Sequence, residues 1–156
     1  MRARFLLFCL LLCASPFVGA QAASAKSAKI IKVLPHYVDR DGRTALSPSL
    51  FERDAYQAIL RQDRSQCSAL RFDVQWKAKT SAPSELKLRL ELVTSTASRE
   101  RPLVLEQPVR PKAIGSRWSR IRLEGEAFRG AGEVIAWRAS LWDADRCLAE
   151  QRSFLW

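Results

Sequence analysis

The chain is short of the residues that most metal sites and many enzymes require. It has one histidine, His36, among 156 residues, and it contains no Cys-x-x-Cys pair and no Cys/His cluster. Zinc sites and thioredoxin-like redox centres depend on such clusters, so the sequence argues against both. It also lacks a G-x-S-x-G elbow, a G-x-G-x-x-G turn and a P-loop. We therefore expect no metal, no cofactor and no nucleotide chemistry.

The acidic residues are also poorly placed for catalysis. The closest carboxylate pairs are i, i+2 neighbours, which do not converge on one bond. We interpret them as turn and capping residues. The segment 39–42 begins like a calcium loop, but its glycine comes too early and no distal glutamate follows, so a turn is predicted. His36 follows Pro35 and is interpreted as a surface or edge residue, not a base. We expect a protein that is not an enzyme.

The first 22 residues have the order of a secretory signal. Arg2 and Arg4 precede an apolar run over 5–12, and small residues lead to Ala20-Gln21-Ala22, an A-x-A cleavage site. The run is too short for a membrane anchor. Cys9 and Cys13 follow Phe8 and Leu12, whereas a lipidated cysteine needs a small residue before it. These features predict cleavage after Ala22 and export, with no membrane span left.

Export changes what the cysteines predict. Only Cys67 and Cys147 remain in the mature chain. Two cysteines in an oxidising compartment suggest one disulfide, although two free buried thiols remain the alternative. The remaining 134 residues are enough for one domain with a core. We divide the chain into a signal peptide (1–22), a flexible tail (23–28) and one β domain (29–156).

Period-two alternation dominates the mature chain. In "LRFDVQWKAK" (70–79) the residues Leu70, Phe72, Val74, Trp76 and Ala78 share one parity, and charged or polar residues take the other. This is typical of a strand with one face in a core. Shorter strands are predicted at 29–34, 85–93, 102–109, 117–125 and, as a pair about a turn at 143–146, within 133–156. Asp41-Gly42 predicts a hairpin within 37–46.

One segment breaks this pattern and predicts a helix. Ser49 and Glu52 form a capping box at its start. Apolar residues then recur at helical spacing: Leu50, Phe51, Ala55, Ile59 and Leu60. We expect this apolar stripe to cover an open end or side of the sheets.

About seven short antiparallel strands with regular turns predict a mainly β fold. Our interpretation is an immunoglobulin-like antiparallel β-sandwich with one helix in an early crossover, and a small barrel is the alternative. Trp76 and Trp137 lie on core parities and are predicted core anchors. Trp142 has the opposite parity and should face outward. For Trp118 and Trp156 two interpretations remain: a flat platform for a ligand, or packing under the helix.

Three phrases of the mature chain carry a resemblance: "KVLPHYVDRDGRTALSPSLFERDAYQA", "LRFDVQWKAK" and "SLWDADRCLAEQRSFLW". They resemble an uncharacterised group of exported bacterial proteins, and the likeness covers most of the mature chain. The resemblance implies a bacterial source. It implies no activity and assigns no functional residue.

Basic residues on the strand faces are the remaining functional signal. The net charge of +10 falls to +8 when the two signal arginines are removed. The predicted anion-binding face consists of Arg71, Lys77, Lys87, Arg89, Arg120 and Arg122, with Lys79 and Arg138 on similar parities. A charge of this size attracts polyanions. The alternative is a solvated face without a partner.

The sequence thus favours an exported, periplasmic or extracellular, non-catalytic binding or assembly module of the bacterial envelope. Its expected partner is an anionic envelope component or another envelope protein. Asp73, Glu91 and Glu124 interrupt the basic pattern, which argues against nucleic acid. The alternative function is an envelope hydrolase whose site lies in unrecognised loops.

Overall fold

The computed structural model describes residues 28–79 and 85–156. The elements in these ranges are β1 (Ala28–Asp39), α1 (Leu50–Gln62), β2 (Cys67–Ala78), β3 (Leu86–Thr94), β4 (Leu103–Val109), β5 (Arg117–Glu124), α2 (Gly125–Ala131), β6 (Val134–Asp143) and β7 (Arg146–Arg152). The predicted signal peptide and nearly all of the predicted tail lie outside the described residues. Ala28, placed in that tail, instead begins β1. No helix in the described ranges is long and apolar enough to cross a membrane.

The strands form two antiparallel sheets that pack around one core. Sheet A has the order β1-β2-β5, and sheet B has the order β4-β3-β6-β7. Inward-facing residues of both sheets belong to the same apolar cluster. The fold is therefore mainly β, as the alternating pattern predicts.

The alternation on the two central strands decides which side chains form the core. On β2 the residues from Leu70 to Ala78 with even numbers are buried, and Leu86, Leu88, Leu90 and Leu92 are buried on β3. Trp76 is fully buried, and its indole N–H donates to Ser119 Oγ at 2.9 Å, so its polar atom is satisfied. These strands confirm the predicted period of two.

Strand β6 follows the predicted parity only in its second half. Ala139 and Leu141 are buried and Trp137 is partly buried against the core, but Ile135 is about half exposed while Ala136 is buried. The register between β3 and β6 shifts between Val93 and Thr94. An irregularity of this kind rotates the strand, which accounts for the misplaced side chain.

The predicted disulfide does not form, and Cys67 and Cys147 are both free thiols. Cys67 begins β2 beside the last residue of β1, Asp39, whereas Cys147 pairs with Trp142 at the β6–β7 turn. Helix α2 joins the Asp39 end of sheet A to the start of β6, eight residues before Trp142. The two thiols therefore lie at opposite ends of the sandwich, roughly 25 Å apart along the strands, beyond disulfide reach.

The predicted hairpin at Asp41-Gly42 is wrong. A turn does form there: Gly42 N–H donates to Asp39 O, and Gly42 has a positive φ of 82°. The chain then continues into α1 instead of returning as a strand. The strand before it is also longer than predicted, since β1 runs through Pro35. Proline is tolerated because β1 lies at the edge of sheet A.

Helix α1 is attached to the free edge of β1 by one side-chain amide. The backbone N–H of Tyr37 donates to Gln57 Oε1 at 2.7 Å, and Gln57 Nε2 donates to the carbonyls of Tyr37 and Thr44 at 2.8 Å each. Gln57 is almost fully buried. Its amide thus occupies the place that a neighbouring strand would take.

A carboxylate at the end of β1 makes a second attachment. Tyr56 Oη donates to Asp39 Oδ2 at 2.7 Å, and Arg43 donates to the same carboxylate from its backbone and its side chain. Burial acts to raise the pKa of Asp39, but these hydrogen bonds outweigh it and lower the pKa to about 2.

These polar attachments turn the predicted apolar stripe of α1 to solvent. Phe51 is 84% exposed, and Leu50 and Ile59 are also exposed, whereas Leu60 is fully buried. The capping contact is present, since Glu52 N–H donates to Ser49 Oγ. The prediction that the apolar stripe is buried was wrong, because the buried side of the helix is the one that carries Gln57. Helix α2 was not predicted at all.

Candidate anion-binding groove

The six residues of the predicted anion-binding face do not share one face. Arg71, Lys77, Arg120 and Arg122 lie on the outer face of sheet A, whereas Lys87 and Arg89 lie on the outer face of sheet B. The core separates the two sets. The prediction of one continuous basic face is therefore wrong, and each outer face must be considered by itself.

The outer face of sheet B is largely neutralised by its own carboxylates. Arg138 Nε lies 2.6 Å from Glu91 Oε2, and Arg89 Nη2 lies 3.5 Å from Glu91 Oε1. Lys87 Nζ lies 3.2 Å from Glu106 Oε2. These cations already have partners, so this face offers little to an external anion.

The outer face of sheet A contains a concave region of about 390 Å³, which we call the sheet A groove. It is lined by Leu34, His36, Thr44, Arg53, Arg71, Asp73, Trp118 and Arg120. The strand register explains this set, because Leu34 of β1, Asp73 of β2 and Arg120 of β5 lie side by side across the sheet. All three point outward since they alternate with core residues.

Asp73 is the centre of the groove. Its carboxylate accepts a hydrogen bond from Arg71 Nη2 at 2.8 Å, and Arg120 Nε lies 3.6 Å from its other oxygen. His36 Nε2 lies 3.9 Å away. The side chains of Asp73 and His36 are only 16% and 13% exposed, whereas Arg120 is 73% exposed. The groove thus has a partly buried floor and an exposed cation at its rim.

Two polar atoms of the floor lack hydrogen-bond partners within the described residues. They are Arg71 Nε, a donor, and Asp73 Oδ1, an acceptor. Most buried polar atoms in proteins are satisfied by protein groups or by water. A ligand that reaches the floor would therefore find one donor and one acceptor without a hydrogen-bond partner.

His36 is held in its neutral form at pH 7. Burial lowers its pKa and outweighs the opposing attraction of Asp73, while Arg71 and Arg53 lower it further. The groove thus combines three guanidinium groups, one carboxylate and an uncharged imidazole, which leaves it with a net charge of about +2.

The rim is formed by residues that reach in from both sides. Arg53 extends from the first turns of α1. Its guanidinium group lies 3.3 Å from the carboxylate of Asp54, so it is already in one ion pair. Trp118, on the opposite side, is 48% exposed. An exposed indole beside guanidinium groups provides a flat apolar surface next to charge.

A second cavity lies between the sheets and also contains charged residues. It encloses about 540 Å³ and is lined in part by Tyr37, Phe72 and Trp137. Two of its polar groups are already engaged: Arg64 donates to the Phe128 carbonyl, and Ser153 Oγ accepts from the Trp137 N–H. Its lining carries two arginines and Glu133, whereas the sheet A groove carries three arginines and Asp73, so the sheet A groove is the better candidate for recognising an anion.

The sequence identified only part of this site. Arg71 and Arg120 line the groove as predicted members of a basic face, but Lys77 does not, and Arg122 is paired with Glu124 at 3.0 Å. His36, Asp73 and Arg53 were not predicted as site residues, and Trp118 was left open between a ligand platform and packing under the helix. The parity of Asp73 was visible in the sequence, but its pairing with Arg120 depends on the strand register.

No group of three His, Cys, Asp or Glu side chains that could hold a metal occurs in the part of the chain that is described. Comparison of the chain with models of protein families, with curated proteins and with solved structures gave no match. Its function must therefore be argued from its own geometry.

Proposed function

We propose that this chain is an exported, non-catalytic binding module of the bacterial envelope that binds an anionic ligand in the sheet A groove. The observation that carries the proposal is the arrangement of Arg71, Arg120 and Arg53 around one partly buried carboxylate, Asp73. Guanidinium groups bind carboxylate, sulfate and phosphate groups through paired hydrogen bonds. The partly buried floor reduces solvent screening of those contacts.

The charge balance of the two outer faces supports the choice of sheet A. By the strand register, six basic and two acidic side chains project from sheet A: Lys29, Lys32, Arg71, Lys77, Arg120 and Arg122 with Asp73 and Glu124. Four basic and three acidic side chains project from sheet B: Lys87, Arg89, Arg138 and Arg152 with Glu91, Glu106 and Glu150. An anion is therefore attracted mainly to sheet A.

The proposed role is non-catalytic because the groove supplies binding groups but no complete set of reacting groups. It offers one imidazole and one carboxylate, and the carboxylate is already in contact with Arg71. A glycosidase would need a second carboxylate across the scissile bond. None of the described residues that line the groove is a serine or a cysteine, the usual nucleophiles of a His-assisted hydrolase.

We also infer that the sandwich is immunoglobulin-like. Strands β1, β2 and β5 follow the neighbour order of strands A, B and E of that fold, and β3, β6 and β7 follow C, F and G. The fourth strand pairs with β3 instead of β5. In many sandwiches of this class the strand faces and end loops serve binding, and this agrees with a binding role.

Charge reversal on matched positions tests the proposal. In the mature protein, the double variant Lys77→Glu, Arg120→Glu changes sheet A, and Lys87→Glu, Arg146→Glu makes the same charge change on sheet B and its terminal turn. All four side chains are exposed, so stability should change little. We expect the sheet A variant to bind polygalacturonate, polyphosphate and anionic vesicles about tenfold more weakly overall, since Arg120 lines the groove and Lys77 adds to the charge of the same face, each worth up to about 1 kcal/mol.

The salt dependence and the reaction products complete the test. Binding should weaken between low and physiological salt, because the Debye length shrinks to ~8 Å at 0.15 M. Equal retention of both double variants on every anion would show that the sheet A face is only solvated. Shortening of any polymer during incubation with the parent protein would favour an envelope hydrolase.

A further inference from the structure

A second groove adjoins the sheet A groove and shares two residues with it. It encloses about 540 Å³ in the gap between β5, at the edge of sheet A, and β4, at the edge of sheet B. Its lining is Glu85, Gln107, Pro108, Val109, Arg110, Arg117, Trp118, Ser119 and Arg120. Trp118 and Arg120 line both grooves, so the two grooves adjoin at these residues, and we call the pair of grooves the track.

The track crosses more of the molecule than a small anion would need. It begins beside Leu34 on β1, crosses β2 and β5, and reaches Gln107 on β4 of the other sheet. Neighbouring strands are ~4.8 Å apart and stacked sheets ~10 Å apart, so the track is on the order of 20 Å long. A ligand that fills it must be an extended chain.

Its polar atoms require a ligand with two kinds of groups. The cations Arg53, Arg71, Arg110, Arg117 and Arg120 line the track and call for anionic acceptors. Its floor also contains two acceptor atoms without a hydrogen-bond partner among the described residues: Gln107 Oε1 in one groove and, in the other, Asp73 Oδ1, which lies 3.6 Å from Arg120 Nε. Such acceptors are satisfied by hydroxyl donors.

Trp118 stands where the two grooves meet. About half of its surface is exposed, and it lies opposite Gln75 in the register of β2 and β5, on the outer face. The face of an indole packs well against the apolar C–H surface of a sugar ring, while its surrounding polar groups bind the ring hydroxyls. The position of Trp118 would fix one ring of a polymer between two charged segments.

We propose that the track binds a linear acidic polysaccharide, with one sugar ring on Trp118, carboxylates or sulfates on the arginines, and hydroxyl groups on Asp73 and Gln107. The proposal rests on the proposed anion binding and names the ligand class. A phosphodiester or polyphosphate backbone presents acceptors only, so it would leave both floor acceptors without a donor, whereas the hydroxyl groups of a polysaccharide can donate to them.

Length dependence is the first test. The mature parent protein is titrated with galacturonate dimer, tetramer and octamer, with maltose-type oligomers of the same lengths, and with polyphosphate and oligothymidylate of matched charge. We expect affinity for the galacturonates to rise about tenfold or more from dimer to octamer, because each added contact is intramolecular. The neutral oligomers should bind weakly at every length.

Three variants then separate the parts of the track. Trp118→Ala should weaken octamer binding about tenfold, and Trp118→Phe, which keeps a ring face, should recover most of the loss. Arg117→Gln, in the second groove only, should reduce the gain with length. Arg146→Gln, which removes an exposed arginine at the β6–β7 turn, is the matched control and should bind as the parent does.

The outcomes distinguish this inference from the proposed function. Binding that is independent of length and insensitive to Trp118→Ala would overturn the track but leave a single anion site in the sheet A groove. Tighter binding of oligothymidylate or polyphosphate than of the octamer would overturn the polysaccharide assignment. If no anion binds the parent protein at low salt, both proposals fail.

Discussion

Gln57 provides the most direct test of how the helix is held on the sheet. Replacing Gln57 with alanine removes three hydrogen bonds, of 2.7 to 2.8 Å, that join α1 to Tyr37 and Thr44. A net value of about 1 kcal/mol for each bond predicts a loss of about 3 kcal/mol in the free energy of unfolding. The helix edge faces solvent, so entry of water limits the additional cost of the uncovered Tyr37 groups.

Urea unfolding followed by tryptophan fluorescence measures this loss. The matched control is Gln62→Ala, which changes the same residue type in the same helix at an exposed position and should cost less than about 0.5 kcal/mol. The slope of the unfolding free energy against urea should stay unchanged. Equal losses for the two variants would refute the role assigned to the Gln57 amide.

An isosteric variant separates donors from packing. In Gln57→Glu a carboxylate faces the carbonyl oxygens of Tyr37 and Thr44, which disfavours its charged form and raises its folded-state pKa above the ordinary value of about 4.3. The variant should therefore be least stable at neutral pH. Relative to the parent protein, it should regain free energy of unfolding as the pH falls through the raised pKa of Glu at position 57. A constant difference between variant and parent from pH 7 to pH 4 would contradict the proposed donor geometry.

Three further outcomes follow from the core, the carboxylate and the thiols. Trp76→Ala should cost ~3–5 kcal/mol, whereas Lys77→Ala should stay within about 0.5 kcal/mol in urea unfolding. The pKa of Asp39 is about 2 when folded and 3.8 when unfolded, so its stabilisation is present above pH 4 and lost between pH 4 and pH 2. Because its partner Arg43 is half exposed, we expect Asp39→Asn to remove about 1–2 kcal/mol of that pH dependence, measured by unfolding at pH 6 and at pH 2. Thiol labelling without reductant should modify both Cys67 and Cys147, the exposed Cys147 faster; a protein without reactive thiols would contradict the separation of the two residues.

The sequence was sufficient to predict elements whose pattern is local and repeated. The alternation of β2 and β3 is a direct consequence of one buried and one solvated face, so their core residues could be read from parity. Strand β4 lies at the edge of sheet B, and the prolines before its start and near its end, Pro102 and Pro108, are typical of an edge strand. The turn between β6 and β7 was also predicted, and Asp143 pairs with Arg146 across it.

Contacts between distant segments could not be predicted in this way. The turn at Gly42 was correct, but the competition between a returning strand and α1 for the edge of β1 is decided by Gln57, 20 residues after Tyr37. The period of two predicts that Arg71 and Arg89 point outward, but it does not show that they lie on different sheets. The pairing of Asp73 with Arg120 joins residues 47 positions apart and makes the groove, and only the register shows it.

The way in which α1 covers β1 also bears on how the protein would aggregate. Strand β1 is an edge strand whose Tyr37 N–H and carbonyl are covered by one glutamine. If α1 detaches while the sheets stay folded, those groups become a template for pairing with a strand of another molecule. Loss of soluble protein on storage would then follow the opening of one helix instead of global unfolding, and its rate would rise in Gln57 variants even under conditions where the core remains intact.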